Sequence, residues 1–302
     1  MPYKTVYSAD LTTEKIRLKF LRAKYDRNRC DFCNSVNVYY TNEEKTKFRC
    51  RDCWRTFSLT SHTYLKNTKL DLRFWYEVIW SFVIGHSAHK AHKLLGMKRH
   101  HKVLNSYQTI REALLDYSQA SWEKEEGIYE TDEALYGGEW GNLRKHVKKR
   151  LREEGKAKRG RGAKDRKQPV FGIYKRDDEQ VYLELIDDFS PDTLEPIIEE
   201  IVEEESEIFS DTWTGYTGLA GLGYLHSRVS HGDEEYVSGE VHINGIEGFW
   251  GLSKTNMHTY KGIRKKNWKY YLKEMEFRYN YRNLDFDEQV DKIIEILMGE
   301  PE

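Results

Sequence analysis

The 302-residue sequence has no long apolar run. Nothing in it approaches the roughly 18 consecutive apolar residues of a membrane-spanning helix, and the longest stretch, near Val78–Gly85, is broken by Ser81. The opening segment, MPYKTVYSADLTTEKIRLKF, lacks the apolar core of a secretion signal, so a soluble, intracellular (cytoplasmic) protein is expected. Surplus charge is absent too: 49 Lys and Arg stand against 50 Asp and Glu, a net charge of −1. With 38% apolar and 14% aromatic residues, that balance excludes a chain kept disordered by self-repulsion. Cysteine is missing everywhere except one 24-residue window. At about 150 residues per domain, the length suggests two domains, or one large domain with a small appendage.

The four cysteines that are present form two pairs, Cys30-x-x-Cys33 and Cys50-x-x-Cys53, sixteen residues apart. This is the spacing of a two-knuckle zinc site, in which each short turn brings two thiolates to one ion. Four thiolates close the tetrahedron and leave no position for water, so the predicted Zn2+ site is structural. Two disulfides are the bland alternative, and a chain without a secretion signal disfavours them. Val36–Tyr40, Phe48 and Trp54 read as the short strands of a ribbon, and Lys45, Lys47, Arg49, Arg51 and Arg55 alternate as a face for phosphates.

The neutral total hides an uneven distribution. Arg144–Lys167 carries thirteen Lys or Arg and three acidic residues, whereas every charged residue from Asp177 to Glu207 is acidic. The basic block, with a loop expected over Gly155–Gln168, is a candidate clamp for a polyanion through Lys148, Lys149 and Arg150, or a solvated insertion; the acidic block reads as solvated surface. Upstream, Leu70–Gly85 has the apolar spacing of a helix. A short helix, a Gly96 turn and a second helix opening on Lys98, Arg99 and Lys102 then give a helix-turn-helix pattern or a plain helical connector. The histidines around them (His86, His89, His92, His100, His101) read as surface residues rather than metal ligands.

Further along, strands are expected at Gly127–Tyr136, Val170–Tyr174 and Val181–Ile186. A helix capped by Asp192 should run to about Glu205, followed by a strand at Glu207–Ser210 and a helix over Val241–Lys254. By analogy, three strands, a helix, a strand and further helices is the order of an RNase H-like α/β fold with a mixed sheet flanked by helices. On those elements three carboxylates stand out: Asp132 within the first strand, Asp211 at the end of the fourth and Glu247 on the late helix. Such hard oxygen ligands hold Mg2+ or Mn2+ and leave positions open for water and phosphate. Lys254, two helical turns after Glu247, shares its face and could hold a phosphate.

Thr131-Asp132-Glu133, Ser210-Asp211-Thr212-Trp213 with Tyr216, His242–Lys254 and Glu276–Arg282 together resemble the DDE-type insertion-sequence transposases of the subgroup with an N-terminal zinc ribbon. The resemblance spans nearly the whole chain. It implies an N-terminal segment 1–25, a zinc ribbon 26–60, a helix-turn-helix segment 66–120, an RNase H-like catalytic domain 125–285 with a basic insertion 141–168, and a C-terminal helix or tail 286–302. It also implies two-metal nicking at the element's ends, followed by attack of the freed 3′-hydroxyl on target DNA. The partner is double-stranded DNA, both element ends and target, bound by a homodimer or larger assembly in a nucleoid-associated setting, with no membrane. Relatives can use Asn as the third residue, so Asn244, one turn before Glu247, is the alternative ligand. Arg264, Lys265 and Lys266 add a second basic patch. Readings of another class are a DNA-binding regulator or domesticated transposase without catalysis, and an RNase H-like nuclease that cuts without joining.

Overall fold

The computed structural model describes residues 3–25, 29–137, 143–155, 167–211, 216, 218–229, 242–260 and 263–301. Thr212, Trp213, Lys261 and most of Gly155–Gln168 lie outside these, so the loop expected there is not described. The chain divides into two compact units, one running to Ala120 and resuming at Tyr281, the other Ser121–Asn280.

The first unit begins with helix α1 (Thr13–Lys24), capped by the Thr12 side chain, which accepts from Lys15 N. An antiparallel sheet β1 (Val38–Tyr40), β2 (Lys47–Cys50), β3 (Thr56–Ser58) follows, with β2 central. Along β2 the residues alternate outward and inward, burying Phe48 and Cys50 and exposing Lys47 and Arg49. Three helices come next: α2 (Leu72–Val83), α3 (Ala88–Leu94) and α4 (His101–Ser121), with Gly96 at φ +65° in the turn before α4. The last helix of the chain, α9 (Phe286–Met298), returns to this unit and packs on α1 and α2. It buries Val290, Ile293, Ile294 and Leu297, and Asp291 accepts from Lys19 at 2.6 Å.

The second unit is a mixed five-stranded sheet. Its strands are β4 (Ile128–Tyr136), β5 (Gln168–Lys175), β6 (Gln180–Leu185), β7 (Glu207–Asp211) and β8 (Leu225–Val229), in the order β6-β5-β4-β7-β8. β4, β5 and β6 are antiparallel neighbours, whereas β7 and β8 run parallel to β4. α6 (Pro191–Ile201) covers one face through Leu194, Ile198 and Ile201 against Tyr129, Phe171, Ile173 and Ile208. α7 (Asn244–Met257) covers the other through Ile246, Phe249 and Trp250 against Ala134, Tyr136, Tyr174 and Phe209. This is the RNase H-like arrangement. α8 (Trp268–Asn280) lies against β6 and closes its open edge. Asn280 accepts from Val181 N at 2.8 Å and donates to Val181 O at 2.9 Å, while Glu276 accepts from Leu183 N at 2.9 Å.

Several sequence expectations need correction. Ser190, not Asp192, occupies the N-cap of α6, because Pro191 has no N–H to lose and its fixed φ suits the first helical position. That helix stops at Ile201, where Val202 turns extended. The basic stretch is not all loop: α5 (Lys145–Glu153) forms there, burying Leu151 and carrying i,i+4 pairs from Lys149 to Glu153 and Arg150 to Glu154. α7 starts at Asn244 rather than Val241, and β8 is an unanticipated fifth strand. Asn280→Ala should expose two backbone groups of β6 and lower stability by about 1–3 kcal/mol in a denaturant titration.

Candidate metal centres and the carboxylate site

Two ligand clusters of opposite chemistry occur, one in each unit. In the ribbon, the four cysteine sulfurs lie within 4.8 Å of one another. Cys30 Sγ and Cys53 Sγ are 3.5 Å apart, and Cys33 Sγ and Cys50 Sγ 3.6 Å. Those spacings are far beyond the roughly 2.05 Å of a disulfide. They are close to the edge of about 3.8 Å of a tetrahedron built on zinc–sulfur bonds of about 2.3 Å. The cysteines are free thiols, which removes the disulfide alternative, and the cluster can hold Zn2+. Backbone N–H groups of Cys53 and Asp52 bring the Cys50 thiol down to about 7, whereas burial and the neighbouring sulfurs hold Cys33 and Cys53 up. The residue after each second cysteine has positive φ, Asn34 at 58° and Trp54 at 61°, which turns the backbone back over the knuckle. Asp52 joins the knuckles by accepting from Ser35 Oγ and from Asn37 Nδ2.

The ribbon's arginines rest on rings. Arg49 lies 5.6 Å from the Trp54 centroid, Arg51 5.1 Å from Tyr39 and Arg55 4.8 Å from Phe32. Lys98, Arg99, Lys102, Lys149, Arg150, Arg264, Lys265 and Lys266 are exposed, and Lys148 is half-buried.

In the second unit, the strand pairing dictates the carboxylate site. Successive strand residues face opposite sides, so Glu130, Asp132, Ala134 and Tyr136 all face α7, while Glu133 faces the other layer and accepts from Tyr216 at 2.7 Å. Thr131 pairs with Ser210 in parallel register, which puts Asp132 beside Asp211 on the next strand. Asp132 is half-buried and its carboxyl is pushed up to about 6. Burial is the largest cause, and the negative charges of Asp211 and Glu247 add to it. A backbone hydrogen bond from Glu133 and one from the Trp250 Nε1–H, 3.0 Å from Asp132 Oδ2, act the other way. The three carboxylates are thus electrostatic neighbours, set more loosely than the thiolates: among the described residues only the cysteines meet within 4.8 Å. Asn244 and Glu247 are both exposed in the first turn of α7, and Lys254 is exposed two turns on.

Two glycines let α7 lie this close. A Cβ on Gly172, opposite Asp132 in β5, would sit 2.6 Å from Trp250 Cζ2. A Cβ on Gly245 would sit 2.2 Å from Tyr174 Cε1. The sequence reading missed both glycines and also Glu130, which is 1% exposed and accepts from Ile246 N at 2.9 Å and Arg176 Nε at 2.8 Å. A signal for Glu130 existed: Glu-x-Asp on a strand puts two carboxylates on one face. His242, expected to cap or line the site, presents its carbonyl to the Arg176 guanidinium.

Residues 126–280, half of the chain, match the family described as the ISXO2-like transposase domain. A transposase-like protein of Haemophilus influenzae is 31% identical over 120 residues, 40% of this chain and 95% of that protein. A protein in the transposable element ISH50 of Halobacterium salinarum is 24% identical over 259 residues, 82% of this chain and 84% of that one.

Gly172→Ala should force Trp250 and Ile246 outward, costing about 1–3 kcal/mol by overpacking and moving the tryptophan fluorescence of the folded protein. For the ribbon, elemental analysis should find about one zinc per chain, and a chelator should melt the ribbon in a zinc-reversible way.

Proposed function

Because the chain belongs to the ISXO2-like transposase family, we propose that it binds the terminal inverted repeats of an insertion sequence and catalyses metal-dependent DNA cleavage and strand transfer. The observation that carries the catalytic part is Asp132, a half-buried carboxylate raised by its own burial and by the charges of Asp211 and Glu247. Mutual repulsion of this kind is relieved by a divalent cation, and the oxygen donors suit Mg2+ or Mn2+. Asp132 and Asp211 are the metal-binding pair on adjacent strands; Glu247 is the third ligand, with Asn244 as the alternative in the same turn. When bound, the ions activate the attacking oxygen and stabilise the leaving one.

The protein's own groups position and shield. Trp250 donates its indole N–H to one oxygen of Asp132 and so steadies the carboxyl that would hold the metal. Lys254 stands on the exposed side of α7, where its ammonium can meet a phosphate of the DNA strand. No covalent protein–DNA intermediate is required, since the reaction rests on positioning and electrostatic stabilisation.

DNA recognition falls to the ribbon, held by Zn2+ on its four cysteines, and to α3 and α4 as a helix-turn-helix in which Lys98 and Arg99, in the turn before α4 rather than on it, and Lys102, in its first turn, meet phosphates and bases. Lys148, Lys149 and Arg150 on α5, and Arg264, Lys265 and Lys266 before α8, are further phosphate contacts. The domains are the ribbon 26–60, the helix-turn-helix 66–120 and the catalytic domain 125–285, of which residues 281–285 fall in the first compact unit. Because two ends must be cut in concert, the active form on DNA is at least a dimer. Among the described residues no helix is long and apolar enough to cross a membrane.

The test is an in vitro reaction with Mg2+ or Mn2+ on DNA carrying the inverted repeats that flank the gene. Joined products that vanish with Asp211→Ala are expected. Binding without cleavage would mean a regulator, and cleavage without joining a nuclease. In the same assay Trp250→Phe should slow cleavage on the order of 10- to 100-fold while leaving end binding intact.

A further inference from the structure

Helix α7 begins without a capping side chain. Its N-cap residue is Ile243, and the first turn must find other partners for its unpaired N–H groups. One partner comes from the sheet: Glu130 Oε2 accepts from Ile246 N at 2.9 Å. The other oxygen of Glu130 accepts from Arg176 Nε at 2.8 Å, and His242 Nδ1 lies 3.6 Å from it. Arg176, packed 4.3 Å from the Phe209 ring centroid, also donates to the His242 carbonyl. The chain is therefore gripped on both sides of the bend into α7, at His242 through Arg176 and at Ile246 through Glu130. Both oxygens of Glu130 are thus engaged, one by the helix and one by Arg176.

Glu130 and Asp132 share one face of β4, about 6.6 Å apart along the strand. Ile246 lies between the two residues competing for the third ligand position, Asn244 and Glu247. We propose that Glu130, with Arg176 as its counter-ion, is the positioning residue of the carboxylate site: it fixes the first turn of α7 at a set distance from Asp132 and so determines where the third ligand stands. This rests on the reading of Asp132, Asp211 and Glu247 (or Asn244) as the metal-binding set. The physical logic is preorganisation. The negative charge of Glu130 sits at the positive end of the helix, and Arg176 neutralises it in a site shielded from water. Without the clamp, the metal would have to pull the third ligand into place, and a higher Mg2+ concentration would be needed for the same occupancy.

The experiment compares Glu130→Ala, Glu130→Gln and Arg176→Gln in the full-length protein. Glu130→Gln keeps an oxygen for Ile246 N but loses the ion pair. Hydrogen exchange of the metal-free, DNA-free protein should show the first-turn amides of α7 exchanging on the order of tenfold faster in Glu130→Ala, with Glu130→Gln between it and the native chain. In the cleavage assay the half-saturating Mg2+ concentration should rise about tenfold in Glu130→Ala and less in Glu130→Gln, with DNA-end binding unchanged. A purely structural ion pair would leave that concentration unchanged and lower only the folded fraction, which would overturn the proposal. So would unchanged exchange at Ile246. If Glu130→Ala does not fold, Glu130→Gln and Arg176→Gln carry the same two readouts. A native chain that never cleaves with any metal would defeat the catalytic reading instead, and the exchange comparison would still decide whether the clamp exists.

Discussion

The larger unit depends on how closely one helix approaches one strand. α7 is tied to β4 at three heights, all through residues on the same strand face: Glu130 to Ile246 N, Asp132 to the Trp250 indole and Tyr136 to Ser253. Between these polar contacts Ala134 leaves room for the apolar side of the helix, and Gly172 on β5 leaves room for the Trp250 ring. Polar contacts in such a buried seam are strong where every partner is satisfied and costly where one is lost. The seam therefore favours a single register of helix on strand, and with it a single placement of Asn244 and Glu247 relative to Asp132. Trp250 serves two needs at once, filling the gap over Gly172 and donating to Asp132.

The two candidate metal centres follow opposite designs. In the ribbon, soft thiolates sit on tight turns, and the left-handed residues Asn34 and Trp54 curl the backbone over the site. Asn adopts that conformation readily, but Trp does not, and such strain persists only where its surroundings hold it. At Trp54 the turn is closed by Cys50 N donating to Arg55 O at 3.0 Å, while the ring itself is 64% exposed and carries Arg49 against it. In the carboxylate site, Asp132, Asp211 and Glu247 come from separate elements, two strands and a helix, so their placement is set by sheet and helix packing rather than by a turn. One cluster is fixed by local sequence, the other by tertiary structure.

That difference explains how much could be read in advance. The cysteine pairs were legible because a knuckle is a local object whose spacing is its geometry. β4 to β7 and the positions of Asp132 and Asp211 were legible because apolar alternation and turn residues mark strands. β8 was not, since Leu225-His226-Ser227-Arg228-Val229 has no clear alternation and Leu225 is 66% exposed. The docking of α9 onto α1 and α2 was also out of reach: periodicity marks its apolar side, but nothing local says which partner will cover it. Glu77 is a similar case. It is fully buried, and it accepts from the backbone N–H groups of Val6, Tyr7 and Ser8, roughly seventy positions away in sequence, so it looks like any other acid until the chain is folded.

The charge pattern can be understood in the same way. The acidic block was read as solvated surface, yet several of its members hold the fold together. Asp188 accepts from Ser190 N and Thr193 Oγ1 at the start of α6, Glu195 accepts from Gly218 N, and Asp178 pairs with Lys175. The basic residues singled out for DNA are almost all exposed, in the turn before α4 and its first turn, on α5 and in the turn before α8. Buried charge is of both signs, with Arg17, Arg111, Lys175 and Lys273 as deeply buried as Glu77, Glu130, Glu274 and Glu276, so a net charge of −1 does not fix which sign faces the solvent at a given surface. Near neutrality in total charge is therefore no argument against a polyanionic partner. What decides is which sign is used up in internal hydrogen bonds and which is left facing the solvent.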